Sequence, residues 1–360
     1  MFFAAGGTGG HLFPAIAVAE ELSQVYGVEC KFFGTDRMEK DIIPKNGFDF
    51  YEMPIGSPPK SIVQKATYAI KLAYSIAKCA TQLKSNKAKA VVCAGAYISV
   101  PPGLAASITN TPLFLMESNV NLGKANKMLT KQATRIFTSY DKTKDYVNAL
   151  YLDKVKNLGN PVRKEIKKYL SRETHKSNLG FDPSKRLCLI MGGSLGALSI
   201  NKAVEENLDF LLGEDLQILW QTGKNYTPPK NLPKGVIVTE FIDDMSTVYN
   251  AADFAICRSG ATTCSELKAV YVPAILIPLP SAGSGEQILN ARALESEGKA
   301  LVLEEKDLGN LFTETVTALT RNGDKLGDMR RSGFFGLNKK TPTQLIAEAI
   351  ASEIGLSPIK

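Results

Sequence analysis

Histidine is almost missing from this chain: His11 and His175 are the two present in 360 residues. Neither a His-rich zinc site nor a Cys/His cluster can be assembled from them, so no protein-held metal is expected. The six cysteines, Cys30, Cys79, Cys93, Cys188, Cys257 and Cys264, form no C-x-x-C and fall mostly within apolar runs. That is the pattern of buried, reduced thiols in a cytoplasmic protein. No run approaches the roughly 20 apolar residues that a membrane span requires. Met1-Phe2-Phe3-Ala4-Ala5 is too short for a signal peptide and lacks the basic flank of one, so the chain is expected to be neither exported nor integral. No helix-turn-helix, RNP or zinc-finger pattern occurs and aromatics are sparse around the basic clusters, which argues against nucleic acid.

What is there suits a soluble enzyme of two domains. Hydrophobic residues make up 44% and charged residues 22%, an ordinary globular balance, and the length exceeds that of one usual core. Lys and Arg outnumber Asp and Glu by 43 to 36, a surplus that favours anionic partners without identifying one. Short apolar runs alternate with helical stretches. In the first half, strand-like runs at 1–5, 29–33, 90–94 and 112–116 flank helices expected at 14–26 and 61–83. In the second half, runs at 187–191, 217–221, 236–239, 254–257 and 274–278 follow the same plan, with a helix expected at 199–212. This β-α-β rhythm predicts an α/β protein with two similar parallel-sheet domains. The join is expected near Gly159-Asn160-Pro161-Val162-Arg163, giving domains at 1–160 and 161–340, and a last helix within 341–360 that packs back on the first domain.

Two glycine clusters sit between a strand-like and a helix-like run: Gly6-Gly7-Thr8-Gly9-Gly10 and Gly192-Gly193-Ser194-Leu195-Gly196-Ala197. In that context backbone N–H groups can approach an anion without Cβ obstruction, and the helix N-terminus adds about half a positive charge. Neither is a dinucleotide or P-loop signature: the first lacks G-x-G-x-x-G and the second lacks its Lys. Thr8 and Ser194 add hydroxyl donors, or serve as helix caps. His11, at the start of the next helix, is placed to act as a general base, or to hold the loop by hydrogen bonding. His175, within Arg172-Glu173-Thr174-His175-Lys176, reads as a solvated loop residue.

Gly6-Gly7-Thr8-Gly9-Gly10-His11-Leu12-Phe13-Pro14-Ala15 resembles the opening motif of the MurG family, N-acetylglucosaminyltransferases that complete lipid II in peptidoglycan synthesis. Gly95-Ala96-Tyr97-Ile98-Ser99, Glu117-Ser118-Asn119, Gly159-Asn160-Pro161-Val162-Arg163, the second glycine cluster, Phe241-Ile242-Asp243-Asp244-Met245 and Arg258-Ser259-Gly260-Ala261-Thr262-Thr263-Cys264-Ser265-Glu266 follow in the family's order.

The resemblance implies a GT-B architecture, two Rossmann-like domains facing across a cleft, and no cofactor. It implies that the second domain holds the donor, UDP-N-acetylglucosamine. Lipid I, the undecaprenyl-linked acceptor, would meet the first domain at the cytoplasmic face of the cell membrane, where the protein would be peripheral. By motif, Ser194 contacts the diphosphate, Ile242 the uracil, Glu266 the ribose and Arg163 the nucleotide phosphates. Thr8, Gly9, Gly10, Tyr97 and Asn119 serve the sugar or the reacting centre, and Gln287 the sugar hydroxyls. Ala261, Thr262, Thr263, Cys264 and Ser265 open a helix whose first amides can face phosphate. The chain departs from the family pattern at Met116 and Ser118, at Ala96 and at Glu286, where the family usually has His and Gln, Gly, and Gln or another polar residue.

A peripheral patch is suggested by Ile62, Val63, Ala66, Ile70, Ala73 and Ala77 at helical spacing, with Lys60, Lys65, Lys71 and Lys78 nearby. The same spacing is the ordinary signature of a helix packed on a sheet. Other readings of the whole are an NAD-dependent oxidoreductase, a nucleotide-sugar 2-epimerase of the same fold, and a non-catalytic module that binds a nucleotide sugar. The missing G-x-G-x-x-G opposes the first, and a single histidine beside the loops is too little acid/base chemistry for the second.

Overall fold

Phe2, Phe3 and Ala4 bury both faces of a strand at the centre of a parallel sheet, as expected for an uninterrupted apolar run. The structure is a computed structural model, describing residues 1–59, 61–166, 171–193, 195–281, 285–321, 324–334 and 340–359. It divides into two compact units, Met1–Arg163 with Asn338–Lys360, and Lys164–Leu337.

The first unit runs β1 (Phe2–Ala4), α1 (Gly9–Tyr26), β2 (Lys31–Gly34), α2 (Met38–Lys45), β3 (Asp49–Glu52), α3 (Ile62–Ser85), β4 (Val91–Cys93), α4 (Val100–Ile108), β5 (Leu113–Glu117), α5 (Lys124–Leu129), β6 (Arg135–Thr138) and β7 (Val155–Asn157). Its seven-stranded sheet has the order β3-β2-β1-β4-β5-β6-β7. Phe2 lies opposite Lys31 on one side and Val91 on the other, both pairings parallel. The order reverses between β1 and β4, so the segments that leave their C-terminal ends diverge there, the place where open α/β sheets receive ligands. Those segments are the first glycine cluster and Gly95-Ala96-Tyr97.

The second unit runs α6 (Arg172–Asn178), β8 (Arg186–Met191), α7 (Leu198–Glu206), α8 (Leu208–Gly213), β9 (Leu216–Gln221), β10 (Val236–Thr239), α9 (Met245–Ala251), β11 (Phe254–Cys257), α10 (Ala261–Ala269), β12 (Ala274–Leu276), α11 (Glu286–Ser296), β13 (Ala300–Val302), α12 (Leu308–Thr320) and α13 (Lys325–Phe334). Its six-stranded parallel sheet, β10-β9-β8-β11-β12-β13, reverses between β8 and β11. The second glycine cluster follows β8, and Arg258 to Ala261 follow β11. α14 (Pro342–Glu353) belongs to the first unit. There Ile346, Ala347, Ile350 and Ala351 join the core that α1 covers with Leu12, Ala15, Ala19 and Leu22. Its N-terminus carries a capping box between Thr341 and Gln344.

Four local readings change. α1 begins at Gly9 rather than at Pro14, which lies inside it. Pro14 has no N–H for the Gly10 carbonyl, and the helix tolerates this one turn from its end. The helix expected at 199–212 is two, broken at Asn207, whose side-chain amide donates to the Ala203 carbonyl (2.8 Å) and competes with the helical ladder. His175 is not in a solvated loop but half-buried on α6, whose N-cap Ser171 accepts the Thr174 amide. α3 packs inward through Tyr68, Leu72, Ile76, Cys79 and Leu83. The row Ala66, Ile70, Ala73 and Ala77 faces outward instead, with Ile70 71% exposed and Tyr74 58%. The packed-helix explanation of that row therefore fails. Lys60 and the side chains of Ile62 and Val63 lie outside the described residues.

Candidate active site

Around the first glycine cluster the decisive group is one that the linear motif does not contain. Glu39, fully buried on α2, accepts the Gly7 amide at Oε2 (3.2 Å) and the Thr35 amide and hydroxyl at Oε1 (3.1 and 2.6 Å). A Cβ on Gly6 would stand 2.5 Å from the Glu39 carboxyl carbon, so glycine is required there to admit the carboxylate. Thr8 takes the N-cap position of α1 in an extended conformation, yet its side chain makes no capping bond and is exposed. Gly9 and Gly10 form the first turn, and His11 follows them.

The imidazole of His11 lies against Gly95: a Cβ built there would be 3.1 Å from both Cε1 and Nδ1, and Gly95 has φ +102°. Nδ1 is buried with no hydrogen-bond partner among the described residues. Next to it, Ser99 ties the Gly95 turn shut by accepting the Gly95 amide (3.0 Å) and donating to its carbonyl (2.6 Å). Tyr97 begins a short 3-10 turn over this strand end. Asn119 is held by Glu117, which is buried at the end of β5. Glu117 accepts the amides of Asn119 (3.0 Å) and Gly123 (2.8 Å) and the side chain of Asn126 (2.9 Å). Arg163 stacks over the Phe13 ring at 5.5 Å, on the helix that carries His11.

Ala96, where the resemblance leads one to expect glycine, has φ +59° and ψ 173°, a region that L side chains rarely enter. Ala96→Gly is expected to stabilise the protein by about 1–2 kcal/mol, read as a raised denaturation midpoint. An unchanged or lowered midpoint would refute strain at this residue.

In the second unit the glycine cluster is pressed against another backbone. A Cβ on Gly196 would lie 2.0 Å from the Thr222 carbonyl oxygen, and one on Gly223 2.4 Å from the Gly196 nitrogen. The Gly193 carbonyl accepts the Gly196 amide (2.9 Å) and the side chain of Gln221 (2.9 Å). Asn201 bridges the Thr222 carbonyl (2.9 Å) and the Trp220 indole (3.0 Å). Ser194 lies outside the described residues. Arg258 donates to the Ile277 and Pro278 carbonyls (3.2 Å each) and Ser199 (3.0 Å), and pairs with Glu305. It thereby fixes the ends of β11 and β12 beside α7.

Ala261, Thr262, Thr263 and Ser265 are partly exposed on the first turns of α10. The Thr262 hydroxyl has no partner among the described residues. The Cys264 thiol is buried and its amide donates to the Gly260 carbonyl (2.9 Å). Glu266 is buried and accepts the Tyr249 hydroxyl at Oε2 (3.0 Å). Gln287, on the first turn of α11, accepts the Leu279 amide (2.9 Å) and its carbonyl accepts the Ser259 hydroxyl (2.8 Å). Ile242 is buried, whereas its neighbour Phe241 is 51% exposed. Asp244 caps α9 behind them. Thr247, donating through hydroxyl (2.6 Å) and amide (3.0 Å), holds the Asp244 carboxyl below its ordinary pKa.

The sequence motifs contain Thr8, His11, Asn119 and Glu266. They do not flag Glu39, Gln221 or Asn201, which reach the loops from elsewhere in the chain, nor the exposed ring of Phe241 beside Ile242.

Two parallel-sheet Rossmann-like units, each with a glycine loop at its switch point, have the GT-B architecture. The profile of the Glycosyltransferase family 28 N-terminal domain matches residues 1–138, and that of the Glycosyltransferase family 28 C-terminal domain matches residues 187–348. A UDP-N-acetylglucosamine–N-acetylmuramyl-(pentapeptide) pyrophosphoryl-undecaprenol N-acetylglucosamine transferase of Fusobacterium nucleatum is 38% identical over 90% of each chain. Its Parabacteroides distasonis counterpart is 32% identical over 91% of each. The crystal structure of Acinetobacter baumannii MurG superposes with a TM-score of 0.72 at 26% identity, covering 98% of this chain and 99% of that one. The chain belongs to the MurG family of glycosyltransferases.

Proposed function

We propose that this protein transfers N-acetylglucosamine from UDP-N-acetylglucosamine to the 4-hydroxyl of the N-acetylmuramyl group of lipid I, forming lipid II with inversion at the anomeric carbon. The observation that carries the mechanism is His11 on the first turn of α1, its Nδ1 buried and unpartnered among the described residues. The acceptor hydroxyl attacks the anomeric carbon, the bond to the UDP oxygen breaks, and His11 takes the hydroxyl proton. Thr8, Gly9, Gly10, Tyr97 and Asn119 position the acceptor. UDP leaves as an anion, stabilised by amides of the second glycine loop, Ser194 and Arg163. The amides opening α10 add to this, with the Thr262 hydroxyl beside them. Glu266 receives the ribose hydroxyls, Ile242 lies against the uracil with the exposed Phe241 ring beside it, and Gln287 meets the sugar.

Incubation with UDP-N-acetylglucosamine and a lipid I analogue is expected to yield UDP and a β-linked disaccharide. An isomerised nucleotide sugar, or no product, would refute the reading.

The acceptor's prenyl chain stays in the bilayer, so the enzyme must work at a membrane surface, on this reading the cytoplasmic face. Among the described residues no helix is long and apolar enough to cross a membrane. The outward row of α3, with Ile70 and Tyr74 beside Lys65 and Lys71, suits peripheral attachment to anionic lipid. Each lysine near such a surface contributes about 1 kcal/mol. Lys65→Glu with Lys71→Glu is therefore expected to abolish cosedimentation with phosphatidylglycerol vesicles, and unaltered binding would remove this surface from consideration.

A further inference from the structure

The helix that carries His11 is not capped by its own N-cap side chain. Thr8 stands there in an extended conformation, where a threonine hydroxyl ordinarily accepts an amide of the first turn. Its side chain makes no such bond and is exposed, while its carbonyl accepts the amides of His11 and Leu12 (3.2 Å each). The grip on the chain comes from Glu39, whose Oε2 accepts the amide of Gly7, the residue that enters the cap, at 3.2 Å. The other oxygen is anchored on Thr35, through amide (3.1 Å) and hydroxyl (2.6 Å). Thr35 follows β2, and β2 pairs with β1, so the carboxylate clamps the exits of two neighbouring strands together. Space is reserved for it: the three atoms nearest to a Cβ built on Gly6 all belong to the Glu39 carboxyl, at 2.5, 2.6 and 2.8 Å. Gly6 is not among the glycines of positive φ, so the carboxylate, and not the backbone, is what demands glycine there.

We infer that Glu39 is a positioning residue that fixes the start of α1 in place of the N-cap side chain, leaving the Thr8 hydroxyl for the acceptor sugar. A hydroxyl engaged in capping is tied to its own helix. Moving the restraint to a buried carboxylate on α2 removes that conflict: the loop is held while Thr8 keeps both its donor and its acceptor capacity. A carboxylate suits the task because Gly7 and Thr35 each bring a backbone N–H that can only donate, and they meet different oxygens. A glutamine has one oxygen and satisfies one of the two. The inference rests on the reading that the first loop serves the acceptor.

Steady-state kinetics with a lipid I analogue, titration with UDP and urea denaturation of the full chain separate the two roles. Thr8→Ala is expected to lower kcat/KM for the acceptor about tenfold and to leave the denaturation midpoint unchanged, since no capping bond is lost. A lowered midpoint would show that the hydroxyl caps α1 and would overturn the inference. Glu39→Gln is expected to lower both the midpoint and the acceptor kcat/KM, the latter about tenfold or more, while UDP affinity stays within about twofold of wild type. Wild-type acceptor kcat/KM in this variant, or a loss of UDP affinity in step with it, would overturn the role of Glu39. Gly6→Ala covers the case in which Glu39→Gln does not fold. Its methyl group displaces the carboxylate and is expected to reproduce the acceptor-selective loss. In a Glu39→Ala background, where the carboxyl is gone, the same change is expected to alter kcat/KM by less than about twofold. No loss in Gly6→Ala, or equal losses in the two backgrounds, would overturn the clamp. Wild type that forms no disaccharide would refute the functional reading beneath the inference.

Discussion

His11→Ala is expected to cut kcat by about a hundredfold to ten-thousandfold, the range a positioned general base supplies, while UDP binds as it does to wild type. The geometry isolates the effect. The ring sits at the start of α1 against Gly95, in the unit that does not carry the second glycine loop. The one other imidazole of the sequence, His175, is half-buried on α6 in the other unit. Turnover is read from UDP release at saturating substrates and binding from titration with UDP. If most of the wild-type turnover survives, His11 shapes the loop and the proton leaves by another route.

The second large effect concerns stability. Asp253, 8% exposed just before β11, accepts Lys176 Nζ (2.7 Å), Arg172 (3.1 Å) and the Leu187 amide (2.8 Å), and Arg330 donates to its carbonyl (2.6 Å). One residue thereby ties α6, β8 and α13 to the start of β11, a central strand of the sheet. Asp253→Ala leaves these cations without their anion and is expected to cost about 3–5 kcal/mol. Burial alone would raise the Asp253 pKa, but the Lys176 and Leu187 hydrogen bonds and the charges of Lys176 and Arg172 hold it below the ordinary value. Arg330, desolvated in the same cluster, falls to about 10.

A folded-state pKa below the unfolded one means that the stabilisation is complete above the unfolded value, about 3.9, and is lost as pH falls through the lower folded value. The resistance of wild type to urea is therefore expected to fall on acidification below about pH 4. Asp253→Asn, which has no charge to lose there, should lack that component. Identical pH slopes for the two proteins would show that Asp253 does not govern acid stability.

How far the sequence foretold this depends on whether each feature is written in one segment or several. β8, β9 and β11 are apolar runs buried in place and β10 is an apolar run at the edge of the same sheet, and their positions could be read directly. β3, β6 and β7 could not: Asp49–Glu52, Arg135–Thr138 and Val155–Asn157 are short and partly polar, and only pairing with an existing sheet makes strands of them. The site divides in the same way. Thr8, His11 and the helix-opening run from Ala261 to Glu266 are contiguous with the turns that display them. Glu39 lies 32 residues from the amide it accepts, and Gln221 lies 28 from its carbonyl. No linear spacing marks such partners, because the sheet order brings them together. The outward row of α3 shows the converse limit. Helical periodicity reveals a stripe but not the direction it faces, and the inner stripe here runs through Tyr68, Leu72 and Ile76.

The crossing of Gly196 and Gly223, where a methyl group would fall 2.0 Å from one backbone and 2.4 Å from the other, bears on drug resistance. An inhibitor that binds side chains can be escaped by exchanging them. One that seats against this crossing meets a surface made of main chain, where neither glycine can change without forcing two loops apart.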